Sequence, residues 1–246
     1  DAWRILDWYD AIVETVTRVT AGDPIDDAGR AAFEALGASI EAALEEEPGL
    51  ERERESSLLT AAASSSALTR SEVVSNAAVL MFGGIETTEG MIANGLLHLL
   101  AHPAELALVE ADRSLLRNAI EESLRLEPAA AVIDRYSTAD AELDGASIAA
   151  GELVRISIAA ANRDPHVFTE PDRFDVRRAN ARHHVAFAHG PHVCVGMHLA
   201  RLEAQTAIGR LLDRLPVLRL DPDRLSAPRG LVFRKPPSVH VLWTPA

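Results

Sequence analysis

The sequence predicts a mainly α fold with small β-sheets, and three observations point there. Apolar residues recur at helical spacing through the first half and again near the end. Thr69 and Glu72 have the spacing of a capping box ahead of a long apolar stretch. Short strand-like runs separated by turn residues appear only after Pro128.

Taken in order, Trp3, Leu6, Tyr9, Val13 and Val16 mark one amphipathic helix, closed by Gly22, Asp23 and Pro24. A second helix is expected from Asp26 or Asp27 to about Leu44. The acidic run from Glu45 and the alternating charges of residues 51–55 then read as a solvated surface or loop. A long helix over 69–101 begins at the capping box and contains Gly83-Gly84-Ile85-Glu86-Thr87-Thr88. Pro103 suits the first turn of another helix, and a third covers 115–126, ending before Pro128. Residues 131–136, 153–158 and 239–243 read as strands, with turns at Asp144-Gly145 and Gly151. Residues 162–191 have no regular period and form a long irregular segment, a type of segment that tends to be functional. A last helix over 197–215 is expected to bury Leu199, Leu202, Ile208, Leu211, Leu212 and Leu215.

The 246 residues are read as a single domain, 1–246. With 24 Lys plus Arg against 37 Asp plus Glu, the net charge of −13 argues against a nonspecific nucleic-acid binder. No apolar run is long enough for a membrane segment, and no basic region followed by an apolar core opens the sequence. Cys194 is the only cysteine, which fits a reducing compartment such as the cytoplasm.

Three motifs carry chemistry. Phe187-Ala188-His189-Gly190-Pro191-His192-Val193-Cys194-Val195-Gly196 sets the cysteine between glycines at the head of a helix. Backbone N–H groups and the positive end of the helix dipole suit a metal-binding thiolate there, and the glycines admit a flat cofactor closely. By itself a lone Cys is more often a small buried hydrophobe. Glu122-Ser123-Leu124-Arg125 places an acid and an arginine one turn apart, which alone is commonly a surface pair. The paired glycines Gly83 and Gly84 cost a helix about 2 kcal/mol, so they mark either a required small surface or a break between two helices.

Together these motifs resemble the cytochrome P450 family. The pattern Phe-x-x-Gly-x-x-x-Cys-x-Gly is similar to its haem-binding loop, 187–196, and implies haem b with Cys194 as the axial iron ligand. The resemblance makes His192 and Arg135 propionate partners and puts Phe187 under the macrocycle, with Gly190 and Gly196 giving it room. Residues 69–101 resemble the I helix, in which Gly84 leaves space for O2 while Glu86 and Thr87 relay protons. Residues 115–126 resemble the K helix, whose Glu122 and Arg125 form a structural network with a later arginine, matched to Arg173 in Glu170-Pro171-Asp172-Arg173-Phe174. Residues 197–215 then correspond to the L helix, and 129–133 with 231–233 to the lining of a substrate pocket.

The resemblance starts at about the F helix, implying a fold that is N-terminally incomplete. It implies a monooxygenase that inserts one oxygen atom from O2 into a hydrophobic small molecule. A ferredoxin and ferredoxin reductase would supply the electrons, as for soluble bacterial members. Two other readings stay open: a haem-binding module without catalysis, and a non-haem metal site drawn from His183, His184, His189, His192, Cys194 and His198.

Overall fold

The computed structural model describes residues 2–20, 22–45 and 67–245; most of the expected charged loop lies outside them. The chain divides into two compact units, Asp1–Ile85 and Glu86–Ala246.

In the first unit, α1 (Ala2–Thr20) and α2 (Asp27–Glu45) are joined by a tight turn. Gly22 takes φ +106°, which lets its N–H and that of Asp23 reach back to the carbonyls of Val19 and Arg18. Asp26 accepts hydrogen bonds from the Gly29 N–H (2.8 Å) and the Thr15 hydroxyl (2.9 Å), fixing the head of α2 against α1. Leu36 and Ile40 pack with Ala78, flanked by Trp8, Ile12 and Val74. Helix α3 (Arg70–Ala101) opens on the expected capping box, with the Thr69 N–H donating to Glu72 at 2.7 Å and the Glu72 N–H to the Thr69 hydroxyl at 3.3 Å. It runs unbroken through Gly83 and Gly84 and continues into the second unit.

The second unit contains α4 (Pro103–Ala111), a 3-10 turn at Arg113–Leu115 and α5 (Leu116–Leu126). Four strands follow: β1 (Val132–Tyr136), β2 (Ala141–Leu143), β3 (Ala146–Ile148) and β4 (Leu153–Ser157). The chain then passes through the single-turn α6 (Ile158–Ala161) into a long irregular stretch, before α7 (Met197–Arg214), β5 (Arg219–Leu220) and β6 (Val241–Leu242). Among the described residues the sheets are three antiparallel pairs. Val132 faces Ser157 in β1–β4, Ala141 faces Ile148 in β2–β3, and Arg219 faces Leu242 in β5–β6. The β2–β3 turn is Asp144-Gly145, both at positive φ, as a tight hairpin requires.

The core of this unit gathers Leu99, Val109, Ile120, Leu124, Val176, Ile208 and Leu212. One expectation about α7 fails. Leu199 and Leu202 are 59% and 61% exposed, whereas Ile208 and Leu212 are buried. At about 100° per residue, Leu199 sits about half a turn away from Ile208, so the six leucines and isoleucines expected in one stripe lie on two faces. Among the described residues no single helix is long and apolar enough to cross a membrane; α3 and α4 pass that test only when joined across a 103° bend.

Candidate functional site

Cys194 is a free, exposed thiol two residues before the N-cap of α7, Gly196. The loop around it is set by the backbone. The Cys194 N–H donates to the Phe187 carbonyl at 2.9 Å, and the Val193 N–H to that of Gly190 at 3.1 Å. Ala188 and Gly190 both take positive φ, 61° and 77°, to turn the chain inside this span. A Cβ on Gly190 would meet nothing within 4 Å, and one on Gly196 would meet Cys194 Sγ at 3.9 Å. His192 is exposed at the end of a 3-10 turn, Gly190–His192, and Val195 beside the thiol is 82% exposed.

Glu122 and Arg125 are both fully buried and paired through two bonds, 2.7 and 2.9 Å. Arg125 spends its remaining donors on the carbonyls of Asn162 (3.1 Å), Pro171 (2.6 Å) and Arg173 (3.1 Å), which ties α5 to the irregular stretch. The second arginine on Glu122 is Arg178, at 2.8 Å, rather than the expected Arg173. Arg178 also donates to the carbonyls of Thr169, Glu170 and Arg173. The Arg173 side chain points to solvent and pairs with exposed Glu170 at 3.1 Å; only its carbonyl joins the network. The turn at Glu170 (φ 48°) presents backbone oxygens inward and carries the Arg173 side chain out.

The neighbouring acid, Glu121, anchors a second buried network that the motifs did not point to. Its carboxylate receives two bonds from Arg201 on α7 (2.7 and 3.0 Å) and one from His184 Nε2 at 3.0 Å, with Arg182 at 3.5 Å. Burial alone would raise its pKa, but the bonds from His184 and Arg201 outweigh that and hold it at about 2. Arg201 lies over the Phe187 ring at 4.5 Å, and the His184 ring is tilted against the same ring at 5.9 Å.

On α3, Glu86 is buried and paired with Lys235 at 3.1 Å, and Lys235 also holds Glu89 at 2.7 Å. Burial disfavours the Lys235 ammonium, yet its bonds to the two carboxylates leave its pKa raised. Lys235 is fixed by the hairpin around Gly230: Arg234 donates to the Ala129 carbonyl and to Glu127, while Ala131 donates to the Val232 carbonyl. That brings 129–133 beside 231–233. Thr87 is half-buried next to Glu86, Gly84 is exposed on α3, and Arg135 is exposed on β1 with its guanidinium on the Asp134 carbonyl. Among the described residues no three His, Cys, Asp or Glu side chains are placed together to hold a metal ion.

The sequence profile of Cytochrome P450 matches residues 37–242. The chain belongs to the cytochrome P450 family. It is 44% identical over 178 residues to Cytochrome P450 monooxygenase PikC of Streptomyces venezuelae, covering 72% of this chain and 42% of that protein. It is also 44% identical over 153 residues to Biotin biosynthesis cytochrome P450 of Bacillus subtilis, covering 62% and 38%. Among solved structures, P450BioI in complex with an acyl carrier protein superposes with a TM-score of 0.84 at 32% identity, over 98% of this chain and 61% of that one. CalO2 gives the same TM-score and identity, over 98% and 60%. The fold is thus that of a P450, and the chain spans about two-fifths of the length of the curated relatives it matches.

The P450 family implies a haem iron cofactor, and the residues at Cys194 fit one. The donor is a solvent-facing thiol, the glycines beside it leave the backbone without side-chain bulk, and the adjacent exposed surface is apolar at Val193 and Val195.

Proposed function

We propose that this chain forms the haem-binding part of a P450 monooxygenase that oxygenates a small hydrophobic substrate with O2 and electrons from a ferredoxin and its reductase. The observation that carries this reading is the exposed Cys194 thiol, held by its own N–H on the Phe187 carbonyl at the head of α7. The names of the monooxygenase relatives support it.

In this reading Cys194 binds the iron of haem b, and the haem supplies the oxidising power when bound. His192 and Arg135 neutralise its propionates, Phe187 supports its face near the sulfur, and Gly84, Gly190 and Gly196 keep side chains out of its volume. Glu86 and Thr87 move protons towards the oxygen site, with an acid beside a hydroxyl forming a short relay. Glu122, Arg125 and Arg178 hold the irregular stretch and take no direct part in the reaction. The protein acts in the cytoplasm.

The test is the spectrum of the reduced, haem-loaded chain under carbon monoxide, against Cys194→Ala. A red-shifted Soret band that disappears in the variant is expected; its absence in the wild type would overturn the assignment. Substrate-dependent oxygen uptake with ferredoxin and reductase then separates an oxygenase from a haem-binding module. An unchanged product rate in the Glu86→Ala plus Thr87→Ala variant would remove the relay from the reading.

A further inference from the structure

We infer that Glu121, His184 and Arg201 are positioning residues that set the geometry of the Cys194 loop. The inference rests on Cys194 being the iron ligand. It concerns how the loop is held, which neither the pattern of the loop nor the Glu122–Arg125 network explains.

The connection is a short run of contacts from α5 to the sulfur-bearing residue. Glu121, 1% exposed at its side chain, bonds both to Arg201 on α7 and to His184 ahead of the loop. Arg201, one turn into α7, presents its fork to both oxygens of Glu121, which fixes the plane of the guanidinium. That plane lies over Phe187 at 4.5 Å. His184 reaches the same carboxylate through Nε2 while its Nδ1 accepts the Ala186 N–H at 3.2 Å. Both ring nitrogens are thus committed, which fixes the tautomer and the orientation of the ring against Phe187.

Phe187 therefore has two neighbours whose positions are set by one acid, and its carbonyl accepts the Cys194 N–H. A ring that cannot shift keeps that carbonyl, and with it the Cys194 backbone, in place. Arg201 also sits on the helix that starts just after the loop, so Glu121 fixes the loop from both ends. Asn162 adds a parallel tie, accepting the Val185 N–H at 2.8 Å. A metal ligand on an exposed loop needs such support, because its side chain has no packing of its own to hold it.

The test begins with the haem-free chain, so that it does not depend on cofactor loading. Amide hydrogen exchange at Cys194 is compared among wild type, Arg201→Met, Glu121→Gln and Arg201→Lys, with Leu212→Ala as a core variant of general destabilisation. Arg201→Met and Glu121→Gln should speed exchange at Cys194 by about tenfold or more, the loss of one hydrogen bond's protection. Arg201→Lys, which keeps the charge but not the fork, should fall between. In the haem-loaded, reduced protein under carbon monoxide, the share of the complex with the thiolate band should fall in the same order.

An unprotected Cys194 amide in the wild type would overturn the inference. So would an Arg201→Met effect on that amide no larger than that of Leu212→Ala. If the exchange results hold but no thiolate band forms in the wild type, Cys194 is not the ligand, and that failure belongs to the proposed function alone.

Discussion

Replacing Arg178 by Met should destabilise the second unit far more than replacing Arg173 by Met. Arg178 is 8% exposed at its side chain and bonds to Glu122, which is fully buried. Its removal takes one cation from a buried acid and three donors from the carbonyls of Thr169, Glu170 and Arg173. Removing one partner of a buried ion pair costs about 3–5 kcal/mol. Glu122 keeps Arg125, and the outer carbonyls can turn to water, so the low end, about 3 kcal/mol, is expected. For a chain of this size that lowers Tm by about 6–12 °C. Arg173 instead forms a pair whose side chains are 55% and 65% exposed, and such pairs contribute between about 0 and 1 kcal/mol. Urea unfolding at constant m-value reads both variants. Equal midpoints for Arg173→Met and Arg178→Met would refute the assignment of the second arginine.

Acidification should unfold the protein in two stages. Burial, with smaller contributions from the charges of His102, Arg163 and Arg125, lowers the His98 pKa from 6.5 to about 4. The unfolded chain therefore takes up a proton that the folded one refuses, and up to about 3 kcal/mol is lost as pH falls from 6.5 to 4. Glu121, held at about 2 against an ordinary 4.5, contributes a similar amount that is complete above 4.5 and lost as pH falls towards 2. Urea midpoints measured across this range should lose their upper step in His98→Gln; a curve unchanged by that substitution would contradict it. Lys235→Met should cost about 2–3 kcal/mol by taking the ammonium from buried Glu86, and adding Glu86→Gln should recover most of it. Gly230→Ala should cost more than 2 kcal/mol, since φ is +104° and the new Cβ would overlap the Phe233 carbonyl; calorimetry would show it as a lower Tm.

The elements with strong local signals were legible in the sequence. The Thr69–Glu72 box opens α3, Pro103 begins α4, and Pro128 follows the end of α5. The β2–β3 hairpin escaped because its strands are three residues each and mostly exposed, so only the Asp144-Gly145 turn carried a signal. Which arginine reaches Glu122 was not legible, because Arg173, Arg177, Arg178 and Arg182 crowd one irregular stretch. The choice among them rests on turn geometry with no period. The division of α7 into two apolar faces was legible in its periodicity but needed each leucine's angle, since counting leucines merges both faces into one stripe. The Glu121 network brings together residues 121, 184 and 201, and nothing in local spacing announces a contact of that range.

Glu121 and Glu122 are consecutive, buried, and bonded to different partners: one serves α7 and the Cys194 loop, the other the stretch carrying Arg178. Neighbouring side chains on a helix point about 100° apart, so this arrangement holds in one helical phase only. A single residue inserted or deleted in α5 ahead of Glu121 would turn both acids away from their partners together. The β2–β3 hairpin, exposed along both strands except at half-buried Ile148, could gain or lose residues at its tip without disturbing either acid. Length variation in descendants of this sequence should therefore collect at that hairpin and be absent from α5.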